Sequence, residues 1–307
     1  MRIVVHGQQA FGKAVLEALL GRGDEVVAVY ASPAGKREDP LAEAALAAGL
    51  PLVRPASFRD PAVTEEFRAF APDLQVMAFV TLIVPAEFLA VPAYGTIQYH
   101  PSLLPRHRGR SAINWPIIKG ETETGLTVFC PDGGIDTGEI LLQKHTPIAA
   151  GDTLGSVYFE RLFPMGVEAL LEAVDLVNAG TAPRLPQDES LASYEAPCER
   201  ENARLDWGKP CRQLHDLVRG CDPAPGAWTT SGGQALQVVA ATPRPARDVA
   251  GVGGAMGEVV DVGEDGFSVV CADGRLRVTR VRPEGGVKTG AGEWAAASGL
   301  RPGARFV

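Results

Sequence analysis

Residues 2–31 read RIVVHGQQAFGKAVLEALLGRGDEVVAVYA, and this stretch decides the fold class. It begins with a short apolar run ending in glycine, which predicts a buried strand. The next segment predicts a helix, because its apolar residues recur at helical spacing: Ala10, Phe11, Val15, Leu16, Leu19 and Leu20. EVVAVYA then predicts a second strand. A strand, a helix and a strand in succession indicate a βαβ unit and a parallel sheet.

The alternation continues toward the middle of the chain. Asp39-Pro40 and Asp60-Pro61 each begin a predicted helix, because Asp caps helix N-termini and Pro suits the first helical position. A brief third strand is predicted at PLVRP, and the fourth to seventh predicted strands are LQVMAFV, GTIQYH, GLTVFC and GEILLQKHTPI. Residues 151–180 predict a long helical region that is interrupted near Pro164. We therefore expect a Rossmann-like α/β domain with a mostly parallel sheet.

The last part of the chain has a different pattern. Residues 181–203 are rich in Pro, Glu, Asp and Ser, which favours a linker. Beyond one amphipathic helix, short strands punctuated by glycine predict a small antiparallel, OB-like β-barrel, with a flexible loop over residues 244–254. The predicted domains are residues 1–203, which include the linker, and residues 204–307.

Composition and charge narrow the classes of function. The chain has 307 residues, of which 46% are hydrophobic and 21% charged, as in folded globular proteins. No apolar run reaches the ~20 residues that a membrane helix needs, so no membrane partner is predicted. The net charge is -8, and residues 205–307 hold 12 Lys and Arg against 11 Asp and Glu. This is not the basic surface of a nucleic-acid-binding protein, so no DNA partner is expected and tRNA is disfavoured.

Neither a metal nor a nucleotide cofactor is predicted. The five cysteines lack CxxC spacing, and the N-terminus lacks an export signal, so we expect reduced thiols and a cytoplasmic location. A metal site made of Cys198, Cys211 and His215 is conceivable but disfavoured. GQQAFG, after the first strand, lacks the G-x-G-x-x-G spacing of dinucleotide sites, which argues against NAD.

Two segments carry the candidate chemistry. YHPSLLPRHRGRSAINW, residues 99–115, places His100 at the end of the fifth strand, and PDGGIDTGEIL, residues 131–141, contains Asp136. If the fifth and sixth strands are parallel neighbours, both segments reach the same edge of the sheet. A histidine beside a carboxylate can move a proton and stabilise an oxyanion. Because no serine elbow or reactive cysteine is evident, direct attack by an external nucleophile on a carbonyl carbon is favoured.

The motifs HPSLLPxxRG and DGGIDTGE resemble those of the folate-dependent formyltransferase family, and the likeness extends over nearly the whole chain. Within the family, the chain is most similar to the hydrolase domain of 10-formyltetrahydrofolate dehydrogenases and somewhat less similar to methionyl-tRNA formyltransferases. The resemblance implies a Rossmann-like domain followed by a small barrel. It also implies an enzyme that removes the formyl group of 10-formyltetrahydrofolate and releases tetrahydrofolate.

The resemblance assigns roles to three residues. His100 matches the histidine that lies beside the formyl oxygen, and Asp136 matches the aspartate that pairs with it and handles protons. Gln98 stands where the family has an asparagine that donates to the oxyanion. A glutamine amide can donate in the same way from a stem one carbon longer. The expected catalytic set is therefore His100, Asp136 and Gln98.

The resemblance also implies a pocket for the pterin ring between the loop after the fourth strand and the loop before Asp136. A flat heteroaromatic ring suits an apolar lining with a few polar groups, and glycines allow close approach. The predicted folate-binding residues are Val80, Leu82, Ile83, Val84, Asp132, Gly133 and Gly134. In the neighbouring loop, Arg108 is expected to brace the chain and His107 to be exposed.

The formyl acceptor is left open by the sequence. Water would make the chain a hydrolase that releases formate, whereas a small amine or initiator methionyl-tRNA would make it a transferase. The short segment ASPAGKREDP, residues 31–40, and the near-neutral second domain disfavour tRNA. A folate-binding module with little turnover is the alternative of another class. Neither the oligomeric state nor a separate dehydrogenase partner is predicted.

Overall fold

The computed structural model describes residues 1–246 and 253–307. Most of the predicted loop over residues 244–254 therefore lies outside the described residues. The chain forms two compact units that alternate along the sequence, so a single boundary at residues 203 and 204 stays a prediction. The first unit contains Met1–Ala112, Gly125–Thr146 and Phe159–Tyr194, and the second contains Ile113–Thr124, Pro147–Tyr158 and Glu195–Val307.

The first unit is built on a seven-stranded sheet with the order β3-β2-β1-β4-β5-β6-β7. Its strands are β1 (Arg2–Gly7), β2 (Glu25–Ala31), β3 (Leu52–Val53), β4 (Leu74–Ala78), β5 (Thr96–His100), β6 (Glu123–Phe129) and β7 (Ile140–Pro147). The first five strands pair in parallel. The predicted Rossmann-like fold class is thus confirmed, since βαβ crossovers generate this arrangement.

The helices that follow strands of this sheet are α1 (Gln9–Arg22), α2 (Pro40–Ala47), α3 (Pro61–Ala69) and α4 (Ala86–Leu89). Two of them, α2 and α3, begin where the Asp-Pro pairs predict. Asp39 accepts a hydrogen bond from the Leu41 N–H, and Asp60 accepts one from the Ala62 N–H, both at 2.9 Å. These side chains bind backbone donors that the first helical turn leaves unpaired.

Strand β6 departs from the expected direction, and the premise that the fifth and sixth strands are parallel is wrong. They pair antiparallel, with Gln98 opposite Phe129 and His100 opposite Thr127. The connection between them contains only the five-residue helix α5 (Asn114–Ile118). A parallel neighbour needs a crossover in which a full helix packs on the sheet, so this connection yields an antiparallel pair and a mixed sheet.

The long helical region is predicted within a few residues of its observed bounds. It comprises α6 (Leu154–Ser156), a π-helical stretch (Val157–Leu162) and α7 (Phe163–Asn178). The π-helical stretch lies directly before Pro164, where the interruption is predicted, because proline has no N–H for the regular helical bond. Gly180 follows the helix at a φ of 67°.

The second unit contains a six-stranded sheet with the order β10-β11-β12-β9-β8, and β13 pairs with β12. Its elements are α8 (Cys211–Gly220), β8 (Trp228–Ser231), β9 (Gln234–Pro245), β10 (Val259–Gly263), β11 (Gly266–Cys271), β12 (Gly274–Pro283), β13 (Thr289–Gly290) and α9 (Ala291–Ser298). The strand pairs are antiparallel, as predicted. Their core includes the buried residues Trp207, Leu214, Phe267 and Phe306.

The last residues of the chain close this sheet. Val259, at the start of β10, donates to the Ala304 carbonyl at 2.8 Å. Thr230, in β8, donates to the Val307 carbonyl at 3.0 Å and accepts from the Val307 N–H at 3.2 Å. Because β10 and β8 are the two ends of the strand order, residues 303–307 join both edges into a small barrel.

Candidate active site

Strand β5 presents the candidate catalytic side chains on one face of the first unit's sheet. Successive side chains of a strand point to opposite faces, so Gln98 and His100 share one face and Tyr99 points to the other. The Tyr99 ring packs against Phe11 of α1, with 4.5 Å between ring centroids. His100 is buried, with 5% of its surface exposed. The strand thus holds the imidazole firmly at its carboxyl end.

The His100 ring contacts a different group through each nitrogen. Nε2 lies 2.9 Å from the His107 carbonyl oxygen. Because a carbonyl oxygen only accepts hydrogen bonds, Nε2 carries a hydrogen. Nδ1 lies 3.5 Å from Oδ2 of Asp136. The structure therefore brings the predicted histidine and aspartate together.

Asp136 reaches His100 through the loop between β6 and β7 rather than from a parallel strand end. The Cys130 N–H donates to the Glu139 carbonyl at 2.8 Å and closes the loop. Asp136 has a φ of 56°, in the left-handed region that Asp tolerates better than most residues. Its Oδ2 also accepts the Gly109 N–H at 2.8 Å. The carboxylate is thus held from two loops at once.

The loop that follows β5 contributes through its backbone. His107 has a φ of 56° and is 4% exposed, so the expectation that it is exposed is wrong. Its carbonyl oxygen orients the His100 ring, as described above. Two non-glycine residues in the left-handed region, His107 and Asp136, therefore flank the same imidazole. Such conformations persist where surrounding contacts enforce them, and they are concentrated at functional sites.

Arg108 braces this loop, as the sequence predicts. Its guanidinium donates to both carboxylate oxygens of Glu189, at 2.6 and 2.9 Å, and to the Tyr194 hydroxyl at 2.7 Å. It also donates twice to Oε1 of Gln187, at 2.7 and 3.1 Å. The hydrogen bond to Glu189 raises the pKa of the Arg108 guanidinium. All of these partners lie in residues 187–194.

Residues 185–194, here called the strap, form an ordered part of the first unit. Leu185 and Ile140 exchange backbone hydrogen bonds at 2.8 and 3.0 Å. The Ser193 carbonyl accepts from the Arg108 N–H at 3.0 Å, and the Ser193 N–H donates to the Pro105 carbonyl at 3.1 Å. This part of the predicted linker, residues 181–203, is therefore fixed against the site loops. The composition of residues 181–203 gives no indication of this, because the contacts depend on distant backbone groups.

Gln187 is a residue beside the site that no sequence motif indicates. Its Nε2 donates to the Asp136 carbonyl at 2.9 Å and to the Gly138 carbonyl at 2.7 Å. The side chain thus lies between Arg108 and the loop that carries Asp136. Gln187 belongs to no helix or strand pattern, so its position is visible only in the folded chain.

The first predicted folate-binding segment follows β4. Met77 pairs in parallel with Gln98, so residues 80–84 begin at the edge where His100 lies. Leu82 and Ile83 are 37% and 71% exposed, as apolar lining of an open site would be. Val80 is half-buried. Val84 is half-buried and packs against the core around Phe58 and Phe88.

The second predicted folate-binding segment is a tight turn before Asp136. Oδ1 of Asp132 accepts hydrogen bonds from the Gly134 N–H at 2.9 Å and from the Thr137 hydroxyl at 2.6 Å. A Cβ on Gly134 would lie 2.1 Å from Oγ1 of Thr137, so the turn itself demands that glycine. Gly133 is exposed, and a Cβ there would meet nothing within 4 Å. Gly133 therefore leaves open space for a ligand.

Gln98 precedes His100 by two residues on β5, where it pairs with Met77 of β4 and Phe129 of β6. It is half-buried, and across residues 1–246 and 253–307 its side chain has no hydrogen-bond partner. Asp136 likewise uses only Oδ2 for the described contacts, which leaves Oδ1 open. An amide donor and a carboxylate oxygen are thus both available beside His100.

The cysteines do not form the metal site that was considered. Sγ of Cys198 lies 3.8 Å from Sγ of Cys221. In the part of the chain that the structure describes, one group of side chains has metal-ligand spacing, and it consists of Cys211, Cys271 and Asp273 in the second unit. Cys198 and His215 are not part of this group. The described helices also include none with the length and apolar character required to cross a membrane.

Comparisons with known proteins give a consistent assignment. The formyl transferase family is matched over residues 1–174, and the C-terminal domain of formyl transferases over residues 197–299. Cytosolic 10-formyltetrahydrofolate dehydrogenase of Xenopus tropicalis is 40% identical over 242 residues, covering 77% of this chain and 27% of the relative. The chain thus spans about a quarter of the length of that relative.

Two further likenesses extend over most of both chains. Methionyl-tRNA formyltransferase of Geotalea uraniireducens (strain Rf4) is 37% identical over 310 residues, covering 99% of this chain and 97% of the relative. The crystal structure of the sugar 3N-formyltransferase WlaRD, in the presence of dTDP and 5-N-formyl-THF, has a TM-score of 0.69. The two sequences are 19% identical, and the match covers 91% of this chain and 96% of WlaRD. At this identity the likeness supports the fold alone. On these matches, the chain belongs to the formyl transferase family.

Proposed function

We propose that this chain removes the N10 formyl group of 10-formyltetrahydrofolate and passes it to water or to a small amine, giving tetrahydrofolate. The observation that carries the proposal is the buried pair of His100 and Asp136 at the end of β5. Relatives named for 10-formyltetrahydrofolate, and a fold neighbour solved with a formyl folate, support the choice of donor.

In this proposal the pterin ring lies between residues 80–84 and residues 131–134. Leu82 and Ile83 supply apolar surface, and Gly133 lets the backbone approach the ring. The formyl carbon then lies beside His100. Asp132 contributes by holding the turn, since its carboxylate is already hydrogen-bonded within the loop.

The chemistry follows from the open polar groups. The acceptor's oxygen or nitrogen attacks the formyl carbon, and Oδ1 of Asp136 takes up the proton that the acceptor loses. The oxyanion of the tetrahedral intermediate is stabilised by the His100 ring and by the Gln98 amide. When the carbon–nitrogen bond breaks, the proton passes to N10. Water then yields formate and tetrahydrofolate, and an amine yields a formamide and tetrahydrofolate.

Initiator methionyl-tRNA is the second candidate acceptor. A methionyl-tRNA formyltransferase matches this chain over nearly the full length of both proteins, and that observation favours it. The charge distribution favours the smaller acceptors, because the net charge is -8 and residues 205–307 are near neutral.

The acceptor is identified by measuring tetrahydrofolate formation from 10-formyltetrahydrofolate in four mixtures: no acceptor, simple amines, amino sugars, and charged initiator tRNA. A basal rate that no addition changes identifies water, and acceleration by an amine identifies a transferase. Acceleration by tRNA alone establishes the second candidate. Tight binding of tetrahydrofolate without turnover in any mixture would overturn the proposal in favour of a binding module.

A further inference from the structure

We propose that Gln187 is a positioning residue that fixes the Asp136 carboxylate against His100, and that the strap therefore sets the catalytic rate. This inference rests on the proposed function for its kinetic consequence. It concerns a residue outside the two motif segments, which reaches the site only through hydrogen bonds.

The amide of Gln187 is bound on both sides. Its two N–H groups donate to the Asp136 and Gly138 carbonyls at 2.9 and 2.7 Å. Its carbonyl oxygen accepts two hydrogen bonds from Arg108, at 2.7 and 3.1 Å. An amide has two donors and an oxygen with two lone pairs, so this arrangement uses all of its hydrogen-bonding capacity.

Only a primary amide fits between these neighbours. Arg108 has donors and no acceptor, so the group that faces it must accept. The two loop carbonyls have no donor, so the group that faces them must donate. A carboxylate could accept the hydrogen bonds from Arg108, but it has no hydrogen to donate to the two loop carbonyls. A leucine could form neither set of hydrogen bonds.

Arg108 is itself fixed, which makes Gln187 a rigid support. The Arg108 side chain has no exposed surface and forms a two-point contact with the Glu189 carboxylate at 2.6 and 2.9 Å. Two-point contacts between guanidinium and carboxylate groups constrain both orientation and distance. The position of the Gln187 amide is thus determined by the strap and by the loop after β5.

Asp136 needs this support because its backbone conformation is unfavourable. At a φ of 56°, the residue is in a region that surrounding contacts must enforce. Gln187 binds the carbonyl of Asp136 itself and that of Gly138, two residues further on. Without those bonds the loop can relax and the 3.5 Å contact to His100 lengthens. A displacement of about 1 Å in a catalytic group can lower the rate about 100-fold.

The test compares Gln187→Glu and Gln187→Leu with wild type and with the control Gln75→Leu. Gln75 is a buried glutamine of β4 in the first unit, and its side chain contacts His6 and Thr96. Both Gln187 variants are expected to lose kcat about 10- to 100-fold per folded enzyme, with KM for 10-formyltetrahydrofolate within about 3-fold of wild type. Gln75→Leu should lower the unfolding midpoint while retaining kcat.

A second readout does not depend on turnover. The ¹⁵N resonance of His100 Nδ1 reports its contact with Asp136, so it should move in both Gln187 variants in the direction seen in Asp136→Asn. It should stay near the wild-type position in Gln75→Leu. An unchanged resonance in the Gln187 variants, or a loss of kcat no larger than that of Gln75→Leu at an equal loss of stability, would overturn the inference. A wild-type protein without turnover would instead contradict the proposed function, and the resonance would still test the role of Gln187.

Discussion

The proposed role of Gln98 as an oxyanion donor can be tested by substitution. Its amide shares a face of β5 with His100 and has no partner in the described chain. Loss of an oxyanion donor costs about 3 kcal/mol, so Gln98→Ala should lower kcat about 100-fold. Gln98→Asn should retain more activity than Gln98→Ala, because it keeps the amide. Steady-state kinetics on tetrahydrofolate formation measure both, and equal rates in wild type and Gln98→Ala would remove Gln98 from the catalytic set.

Two glycines of the loop that carries Asp136 have different predicted roles: Gly133 leaves space for the substrate, and Gly138 is required by the loop conformation. A Cβ on Gly138 would lie 1.6 Å from the Cys130 carbonyl oxygen, whereas one on Gly133 meets nothing within 4 Å. Gly138→Ala should therefore lower both the unfolding midpoint and kcat. Gly133→Ala should keep the wild-type midpoint and raise KM for the folate. If Gly133→Ala leaves KM unchanged, the turn does not contact the substrate.

For individual residues, the sequence predicts those that lie in a recognisable motif and misses those that act through backbone groups or from outside the motifs. His100 and Asp136 are found because their side chains occur in recognisable segments. No motif indicates the Gly109 N–H or the His107 carbonyl, because every residue has these backbone groups. No motif indicates the Gln187 side-chain amide either, because glutamine is common in loops. Their importance arises from long-range contacts, which no local pattern encodes.

Among the elements, strands β1 to β5 and their helices are predictable because apolar periodicity and Asp-Pro caps act locally. The direction of β6 is not, since it depends on whether the preceding connection packs a full helix on the sheet. The strap is hidden for a similar reason. It lies within residues 181–203, whose composition is that of a linker, and its ordering comes from Arg108, Ile140 and Pro105 far away in sequence.

Strand β1 carries a pH-dependent contribution to stability through His6. Burial lowers the pKa of His6 from 6.5 to about 3, so the folded protein keeps this ring neutral. Below pH 6.5 the unfolded chain binds a proton that the folded chain excludes. The free energy of unfolding should therefore fall as pH decreases from 6.5 toward 3.

The variant His6→Gln removes this titration. Urea unfolding at several pH values should show a shallower loss of stability in His6→Gln than in wild type. His145→Gln, a change at an exposed histidine, should retain the wild-type slope. Identical slopes in all three proteins would mean that His6 is protonated in the folded state.

For the whole molecule, closure of the barrel by the last residues is the feature with the clearest energetic consequence. Phe306 is 2% exposed and packs edge-on against Phe267, at 5.4 Å between ring centroids. Truncating a buried phenylalanine costs about 3 to 5 kcal/mol, so Phe306→Ala should strongly destabilise the second unit. Val307→Ala is the matched control, because Val307 is 62% exposed. Denaturant unfolding followed by tryptophan fluorescence measures both, and similar midpoints would argue against closure by this segment.

We propose that the His100–Asp136 pair performs formyl removal. The most direct measurement is tetrahydrofolate formation from 10-formyltetrahydrofolate by wild type, His100→Ala and Asp136→Asn, with tetrahydrofolate binding titrated in each protein. We expect wild type to turn over, both variants to lose at least about 100-fold in rate, and tetrahydrofolate binding to change by less than about 3-fold. Turnover in either variant at the wild-type rate, or tight binding by wild type with no turnover, would contradict it.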